Sequence, residues 1–355
     1  MSGKTETIGN VKNTYGYTYD KAGRLTGVKK NGVVVSSYSY DSNSNRVSAT
    51  TTSGPVTATY DAQDRVLTYG KAAYTYTANG ELAGQTVGTQ TTSYSYDVLG
   101  NLTSVVLPDG TAITYVVDAE NRRIGTAIDG VLQVGYLYDD DDRIVAQMDA
   151  ANQIVSQFVY GTDSTSPDSL IQNGVSYRIV HDHQGSPRLV VNAATGAIVQ
   201  RIDYDEFGTV INDTNPGFQP FGFSGGLYDQ HTKLIRFGAR DYDPNTGRWT
   251  AKDPLLFGGG DVNLYEFVFG DPVNSVDPTG TRGVTLTIGE AIRTDSPTFT
   301  LTIGEAIRTD IHEGRTTRAV DHAHMKKRKK RACACVKTNV KKIVDKNKGK
   351  CAGLD

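Results

Sequence analysis

The stretch YGYTYDKAGRL, residues 15–25, decides how this chain folds. Its three tyrosines alternate with Gly or Thr, which places three aromatic rings on one face of a β-strand. Asp20 then opens a turn, because its carboxylate can accept hydrogen bonds from backbone amides two residues further on. Gly23 tolerates the positive φ that ends such a turn, and Leu25 starts the returning strand. The stretch therefore predicts a tyrosine-faced β-hairpin.

The same pattern recurs along the chain, which indicates a repeat protein. Its copies begin at positions spaced by 21, 20, 16, 20, 21 and 21 residues. A hairpin of about 20 residues cannot bury its aromatic face alone, so neighbouring hairpins have to stack. The copies are YDKAGRL at Tyr19, YDSNSNRV at Tyr40, YDAQDRV at Tyr60, YTANGEL at Tyr76, YDVLGNL at Tyr96, VDAENRRI at Val117 and YDDDDRI at Tyr138.

The composition agrees with a mainly β chain that has many turns. Among 355 residues there are 20 Tyr and 38 Gly, and the mean hydropathy is −0.40. The apolar runs are too short to cross a bilayer, so we expect no membrane span. The N-terminus lacks the basic and then apolar profile of a signal peptide. It begins inside a repeat, so we expect the chain to be the distal part of a longer parent.

Charge divides the chain into two parts. Residues 311–355 hold 14 Lys and Arg against 4 Asp and Glu, whereas residues 1–310 hold 23 against 35. All three cysteines, Cys333, Cys335 and Cys351, also lie in the basic part. Such asymmetry indicates two modules with different partners.

Five further motifs follow the repeats in a fixed order, and together with them carry a family resemblance. They are HDHQGSPR at 181–188, YDEFG at 204–208, FGFSGGLYD at 221–229, RDYDPNTGRWTAKDP at 240–254 and NLYEFVFGDPVNSVDPTG at 263–280. Repeats and motifs resemble the YD (Rhs) repeat family, which includes bacterial Rhs proteins, the C component of insecticidal toxin complexes and the teneurins. The resemblance implies YD-repeat hairpins that form a spiralling sheet, or shell segment, around a variable C-terminal region.

We accordingly predict three segments: YD repeats over 1–160, an Rhs-associated core over 161–280 and a variable region over 281–355. The resemblance also implies a bacterial origin and delivery to the cell surface or outside the cell. The partners expected on this basis are a longer N-terminal shell or delivery machinery and an immunity protein.

The candidate chemistry lies in the hairpin RDYDPNTGRWTAKD. Pro and Gly of DPNTG suit the corners of a turn, so strands on either side run antiparallel. In proteins that resemble this core, two aspartates and the preceding arginine form an aspartic-protease-like site that cuts the chain after the last DPxG block. Here these are Asp241, Asp253 and Arg240, with the cut between Gly280 and Thr281. The alternative is that both aspartates only form ion pairs with neighbouring Arg and Lys side chains.

The proposed pair needs no cofactor. Two close carboxylates cannot both ionise easily, so one keeps a proton and acts as an acid while the other activates water. Arg240 can hold one carboxylate ionised or stabilise the oxyanion. Family members carry Leu immediately after DPxG, whereas this chain has Thr281, so the apolar side chain that would seat the scissile bond is missing.

The basic tail offers a second chemistry. The run KKRKKR, residues 326–331, would attract nucleic acid, and apolar residues over 336–346 recur with helical spacing. Asp321 or His324 could hold a divalent metal with His322 as the general base of a nuclease. Zinc held by His322, His324 and the three cysteines is an alternative, although CxC is tighter than the usual spacing. A small α+β domain and a disordered tail both remain open.

The leading interpretation is the C-terminal part of a YD-repeat protein that encloses an effector and releases it by self-cleavage. Two alternatives belong to other classes. One is a surface or adhesion protein whose hairpins bind carbohydrate or a protein partner, without catalysis. The other is a toxin whose main activity on nucleic acid is carried by residues 281–355.

Overall fold

The computed structural model describes residues 1–161 and 166–286, together with the backbone of 298–303. The fold is mostly antiparallel β, which confirms the predicted class. The described residues fall into two compact units. The first contains residues 1–91, 179–191, 195–286 and 298–303, and the second contains residues 92–161, 166–178 and 192–194.

The first unit opens with a ladder of antiparallel strands that pair in sequence order. Its first strand also pairs in parallel with the backbone of Thr298–Ile303. The strands are β1 (Gly3–Ile8), β2 (Val11–Tyr19), β3 (Leu25–Lys30), β4 (Val33–Tyr40), β5 (Arg46–Thr51), β6 (Gly54–Tyr60), β7 (Val66–Tyr69), β8 (Ala72–Tyr76) and β9 (Leu82–Val87).

The second unit is built in the same way from antiparallel neighbours. Its last strand continues past the end of the unit at residue 178. The strands are β10 (Gln90–Tyr96), β11 (Leu102–Val106), β12 (Ala112–Val117), β13 (Arg123–Ile128), β14 (Val131–Tyr138), β15 (Ile144–Met148), β16 (Ile154–Val159), β17 (Ser169–Gln172) and β18 (Val175–His181).

The remaining elements return to the first unit. They comprise strands β19 (Pro187–Asn192), β20 (Ile198–Tyr204), β21 (Val210–Asp213), β22 (Leu227–Tyr228), β23 (Ile235–Phe237), β24 (Arg240–Asp243), β25 (Arg248–Trp249), β26 (Ser275–Val276), β27 (Val284–Thr285) and β28 (Thr298–Ile303). Strands β22–β25 form a small sheet, and β26 pairs with β27. Three 3₁₀ turns span Phe223–Gly225, Leu256–Gly259 and Val268–Gly270.

The predicted turn chemistry is confirmed at the YD motifs. Asp20 Oδ1 accepts hydrogen bonds from the backbone amides of Ala22 at 2.9 Å and Arg24 at 3.0 Å. Gly23 closes the turn with a φ of +87°. The same pair of backbone hydrogen bonds recurs in the turns that begin at Asp41, Asp61, Asp97, Asp118 and Asp139.

Several motif tyrosines connect their hairpin to the one before it. Tyr40 Oη donates to the carbonyl of Leu25 at 2.8 Å, and Tyr60 Oη donates to the carbonyl of Arg46 at 2.9 Å. The guanidinium of Arg24 also lies 4.8 Å from the ring centroid of Tyr40, within cation–π range. Stacking therefore combines a hydrogen bond with an Arg–Tyr contact, and the rings do not simply pack on one another.

A separate aromatic core supports strands β22–β25. The rings of Tyr242 and Phe267 have centroids 4.3 Å apart, and Tyr242 Oη donates to the carbonyl of Phe207 at 2.8 Å. Buried aromatic clusters of this kind fix the strands that carry them. The cluster contains Phe223, Ile235, Phe237, Tyr242, Trp249, Phe267 and Val268.

The predicted segment boundaries at 160 and 280 stay predictions, since the compact units follow packing and not the motifs. Asp321, His322, His324 and the three cysteines, for which the sequence predicts metal binding or nuclease chemistry, lie outside the described residues. No helix in the described ranges is long and apolar enough to span a bilayer.

Candidate active site

The hairpin RDYDPNTGRWTAKD forms as the sequence predicts. Strands β24 and β25 pair antiparallel, with Tyr242 opposite Trp249 and Asp243 opposite Arg248. Gly247 ends the turn with a φ of +69°, and its amide donates to the carbonyl of Asp243 at 2.8 Å. The turn thus fixes where the strand residues before it point.

Arg240 and Asp241 are consecutive strand residues, so their side chains leave opposite faces of β24. Asp241 lies opposite Arg236 of β23, and its Oδ2 accepts from Arg236 Nη1 at 3.0 Å. Both side chains are buried. The structure therefore places Asp241 in a buried ion pair on the face away from Arg240.

Arg240 is the centre of the site. Its Nη2 lies 2.9 Å from Asp253 Oδ2 and 3.5 Å from Asp277 Oδ2. Its Nε donates to the carbonyl of Gly280, and its Nη1 donates to the carbonyl of Leu264 at 3.2 Å. One buried guanidinium thus joins two carboxylates to the carbonyl of the predicted scissile bond.

Asp253 reaches this position because the backbone after β25 is held at both ends. Its amide donates to the carbonyl of Leu264 at 3.1 Å, which ties it to the turn that also holds Arg240. Its Oδ1 accepts from the amide of Leu255 at 2.7 Å, an Asx turn that leads into the 3₁₀ turn Leu256–Gly259. Its other oxygen, Oδ2, is left for Arg240.

Asp277 begins the DPTG turn and organises the predicted cut. Its Oδ1 accepts from the amides of Thr281 and Arg282, each at 3.1 Å. The amide of Ala239 donates to the carbonyl of Thr279 at 2.9 Å, which docks the turn on the loop between β23 and β24. Gly280 packs so closely there that a Cβ would lie 2.3 Å from the carbonyl oxygen of Phe237.

Gly259 marks the closest approach of the Asp253 carboxylate to the segment after the predicted cut. A Cβ at this position would lie 2.7 Å from Asp253 Oδ2 and 2.9 Å from the carbonyl oxygen of Thr281. Both oxygens are therefore within 3 Å of one point, and only glycine leaves room for them.

Burial controls the electrostatics of the site. It raises the pKa of Asp253, an effect that Arg240 opposes and that the nearby carboxylates of Asp277 and Asp261 reinforce. Burial also lowers the pKa of Arg240 to about 10, against the attraction of Asp253 and Asp277. The guanidinium lies 4.1 Å from the ring centroid of Trp249, which stabilises its charge. The pKa of Asp253 is thus raised even though Oδ2 forms an ion pair with Arg240.

Arg240, Asp253, Gly280 and Thr281 were predicted from the sequence, and the structure brings these four together. Asp241, the other predicted residue, lies on the opposite face of β24, which the alternation along RDYD could have indicated. Asp277 was not predicted as a site residue and was noted only as part of the DPTG block. Within the described residues, no group of three or more His, Cys, Asp and Glu side chains is arranged to hold a metal ion.

Comparison with known proteins gives consistent sequence relatives. The profile of the teneurin YD-shell family matches residues 1–273. Teneurin-3 of Danio rerio is 30% identical over 288 residues, which cover 76% of this chain and 10% of the relative. The tRNA3(Ser)-specific nuclease WapA of Bacillus spizizenii is 27% identical over 276 residues, which cover 74% of this chain and 12% of the relative. The chain thus spans about a tenth of the length of these relatives.

Among solved structures, the crystal structure of TcdB2-TccC3-TEV is similar over 76% of this chain and 18% of that one. Its sequence identity is 18% and its TM-score is 0.41.

Proposed function

Because the chain belongs to the teneurin YD-shell family, we propose that it is part of a β-shell whose core cuts its own backbone after Gly280. The cut separates residues 281–355 from the hairpins. The observation that carries the proposal is the set of contacts made by Arg240, which links the Gly280 carbonyl to the carboxylates of Asp253 and Asp277.

The reaction is hydrolysis of the Gly280–Thr281 peptide bond. Water adds to the carbonyl carbon of Gly280, and the carbonyl oxygen takes up negative charge. Arg240 Nε already donates to that oxygen, so the developing charge is stabilised without rearrangement. The C–N bond then breaks, leaving a carboxylate on Gly280 and an amine on Thr281.

The two carboxylates divide the proton transfers. Asp253, whose pKa burial raises, holds a proton and donates a hydrogen bond toward the oxyanion. Asp277 takes the proton from the attacking water and passes it to the nitrogen of Thr281, which lies 3.1 Å from Asp277 Oδ1. Protons are conserved, and one ionised and one protonated carboxyl group suffice.

The substrate of the proposed reaction is part of the protein itself. The scissile bond lies in the same chain and is docked against β24 by the contact between Ala239 and Thr279, so the reaction is unimolecular. A single turnover needs no open cleft for a diffusing peptide.

The segment after the cut is the effector in this proposal. Its last 45 residues carry a strong excess of Lys and Arg, which suits a nucleic-acid target. A toxic effector in turn calls for an immunity protein in the producing cell and for delivery out of that cell as part of a longer shell.

The direct test is the intact mass of the purified full-length chain. We expect two fragments, one ending at Gly280 and one beginning at Thr281, and a single uncut chain for Asp253→Asn. Asn is a suitable replacement, because it keeps the size of the side chain and removes its ionisable carboxyl group. A chain that stays whole at every pH, or that is cut elsewhere, would show the proposal to be wrong.

A further inference from the structure

Asn263 contacts a YD turn far away in the sequence. Its Nδ2 donates to the carbonyl of Asn43 and to Asn45 Oδ1, both at 2.8 Å. Asn263 and Asn45 are each 1% exposed. Buried amides that pair with one another fix both backbones, since leaving either unsatisfied is costly.

Arg248 contacts the same YD turn and the next one along the chain. Its Nη1 donates to Asn45 Oδ1 at 2.9 Å, and its Nη2 donates to the carbonyl of Asp64 at 2.6 Å. Tyr265 extends the contact, because its Oη donates to the carbonyl of Gly80 at 2.7 Å. Three successive YD turns are therefore held by Arg248 and by the short stretch 263–265 of the core.

That stretch also holds the candidate active site. Leu264 follows Asn263, and its carbonyl accepts from the amide of Asp253 at 3.1 Å and from Arg240 Nη1 at 3.2 Å. The amide of Trp249, next to Arg248, donates to the carbonyl of Tyr265 at 3.0 Å. A displacement of Asn263 therefore moves the acceptor that positions both Asp253 and Arg240.

We propose that Asn263 and Arg248 are positioning residues that make the site depend on the folded YD turns at 41–45, 61–65 and 77–81. The inference rests on the proposed self-cleavage. In a chain whose turns have not yet docked, Asn263 is not held in place, and the Leu264 carbonyl cannot position Asp253 and Arg240. The cut therefore follows the folding of these hairpins.

The repeat supplies a matched pair of variants. Asn45 and Asn101 occupy the same motif position and are buried to 1% and 2% exposure. Asn45 Nδ2 donates to Asp41 and Asp64, and Asn101 Nδ2 donates to Asp97 and Asn121, at distances of 2.8–3.0 Å. Asn45 in addition accepts from Asn263 and Arg248, and Asn101 belongs to the other compact unit.

The experiment compares Asn45→Ala with Asn101→Ala in the full chain. We expect both variants to lose thermal stability, Asn45→Ala the more because it also leaves Asn263 and Arg248 without an acceptor. Assayed at a temperature at which both variants are folded, only Asn45→Ala should show a cleavage rate about tenfold lower. Arg248→Lys is a milder second variant, because a lysine keeps the charge but not the forked donors; it is used if Asn45→Ala fails to fold. Equal cleavage rates in the paired variants would overturn the coupling.

Hydrogen–deuterium exchange separates this inference from the proposed function. In chains carrying Asp253→Asn to keep them whole, the amide of residue 253 should exchange about tenfold faster with Asn45→Ala than with Asn101→Ala. If the wild-type chain is never cut, self-cleavage fails as a function, but faster exchange still supports the coupling. Equal exchange in both variants contradicts the coupling whether or not the chain is cut.

Discussion

Arg240 and Gly280 are in direct contact, since the Nε atom of Arg240 donates to the Gly280 carbonyl. The same guanidinium lies 2.9 Å from Asp253 and 3.5 Å from Asp277. The carbonyl that must accept negative charge during hydrolysis therefore already faces a buried cation that lies between two carboxylates.

The first prediction tests whether Asp277 or Asp241 is the carboxyl group that acts together with Asp253. Asp277→Asn should slow cleavage by about 10³-fold or more, because the group nearest the Thr281 nitrogen is lost. Asp241→Asn should still cleave but should lower the free energy of unfolding by about 3 kcal/mol, because it breaks the buried pair with Arg236. Intact mass against time and urea denaturation measure the two effects. Loss of cleavage in a folded Asp241→Asn chain would instead show that Asp241 acts together with Asp253.

The second prediction concerns the glycine between Asp253 and Thr281. Gly259→Ala should slow cleavage by about 10²-fold, since a Cβ would displace an oxygen of one of these residues. Gly258→Ala is the matched control, because a Cβ there meets only the Cβ of Leu255 at 3.7 Å. We expect the control to cut within about a factor of two of the wild-type rate. Similar rates for both alanine variants would contradict the described approach.

The third prediction concerns the residue after the cut. Thr281→Leu should raise the cleavage rate by about tenfold, because an apolar side chain would seat the scissile bond. The Thr281 hydroxyl lies 2.9 Å from that of Thr279, so Thr281→Val serves as a control for the loss of this hydrogen bond alone. A rate that rises equally in Val and Leu variants would assign the effect to the hydroxyl and not to side-chain size.

The fourth prediction is a pH dependence of stability. Burial raises the pKa of Glu266 to about 9, aided by Asp261 and opposed by Arg248 and Arg24, whereas the usual value is 4.5. Between these values the folded chain binds more protons than the unfolded chain, so the free energy of unfolding falls as pH rises. In Glu266→Gln, which mimics the protonated form, the fall from about pH 5 to about pH 8 should be smaller.

Urea denaturation at several pH values checks this expectation. Glu120→Gln is the control, because that side chain is 64% exposed. A decline with pH as steep in Glu266→Gln as in the wild-type chain would show that Glu266 ionises normally.

Most of the fold could be predicted from the sequence, because short-range hydrogen bonds determine its turns. Asp20 and the aspartates at the same position of five other motifs predict their turns, because an Asx turn needs only the aspartate and the amides that follow it. The tyrosine spacing predicted stacked hairpins, but not the hydrogen bond from Tyr40 to Leu25, since nothing local specifies which carbonyl a hydroxyl finds.

The candidate site was predicted only in part, for a geometric reason. Arg240 and Asp253 share one hairpin, so the motif places them near each other. Asp277 comes from a separate turn that tertiary packing brings to Arg240, and spacing along the chain does not encode that approach. Asp241 stays a prediction as the second acid: it is adjacent to Arg240 in sequence, but its side chain leaves the opposite face of the strand and pairs with Arg236.

The pairing of β26 with β27 has a practical consequence. Val276 and Val284 flank the predicted cut and remain opposite one another on two hydrogen-bonded strands, and the amide of Leu286 donates to the carbonyl of Asn274 at 2.7 Å. These contacts do not involve the Gly280–Thr281 bond, so a nicked chain keeps them. Its two pieces should migrate together on a native gel and come apart only in detergent.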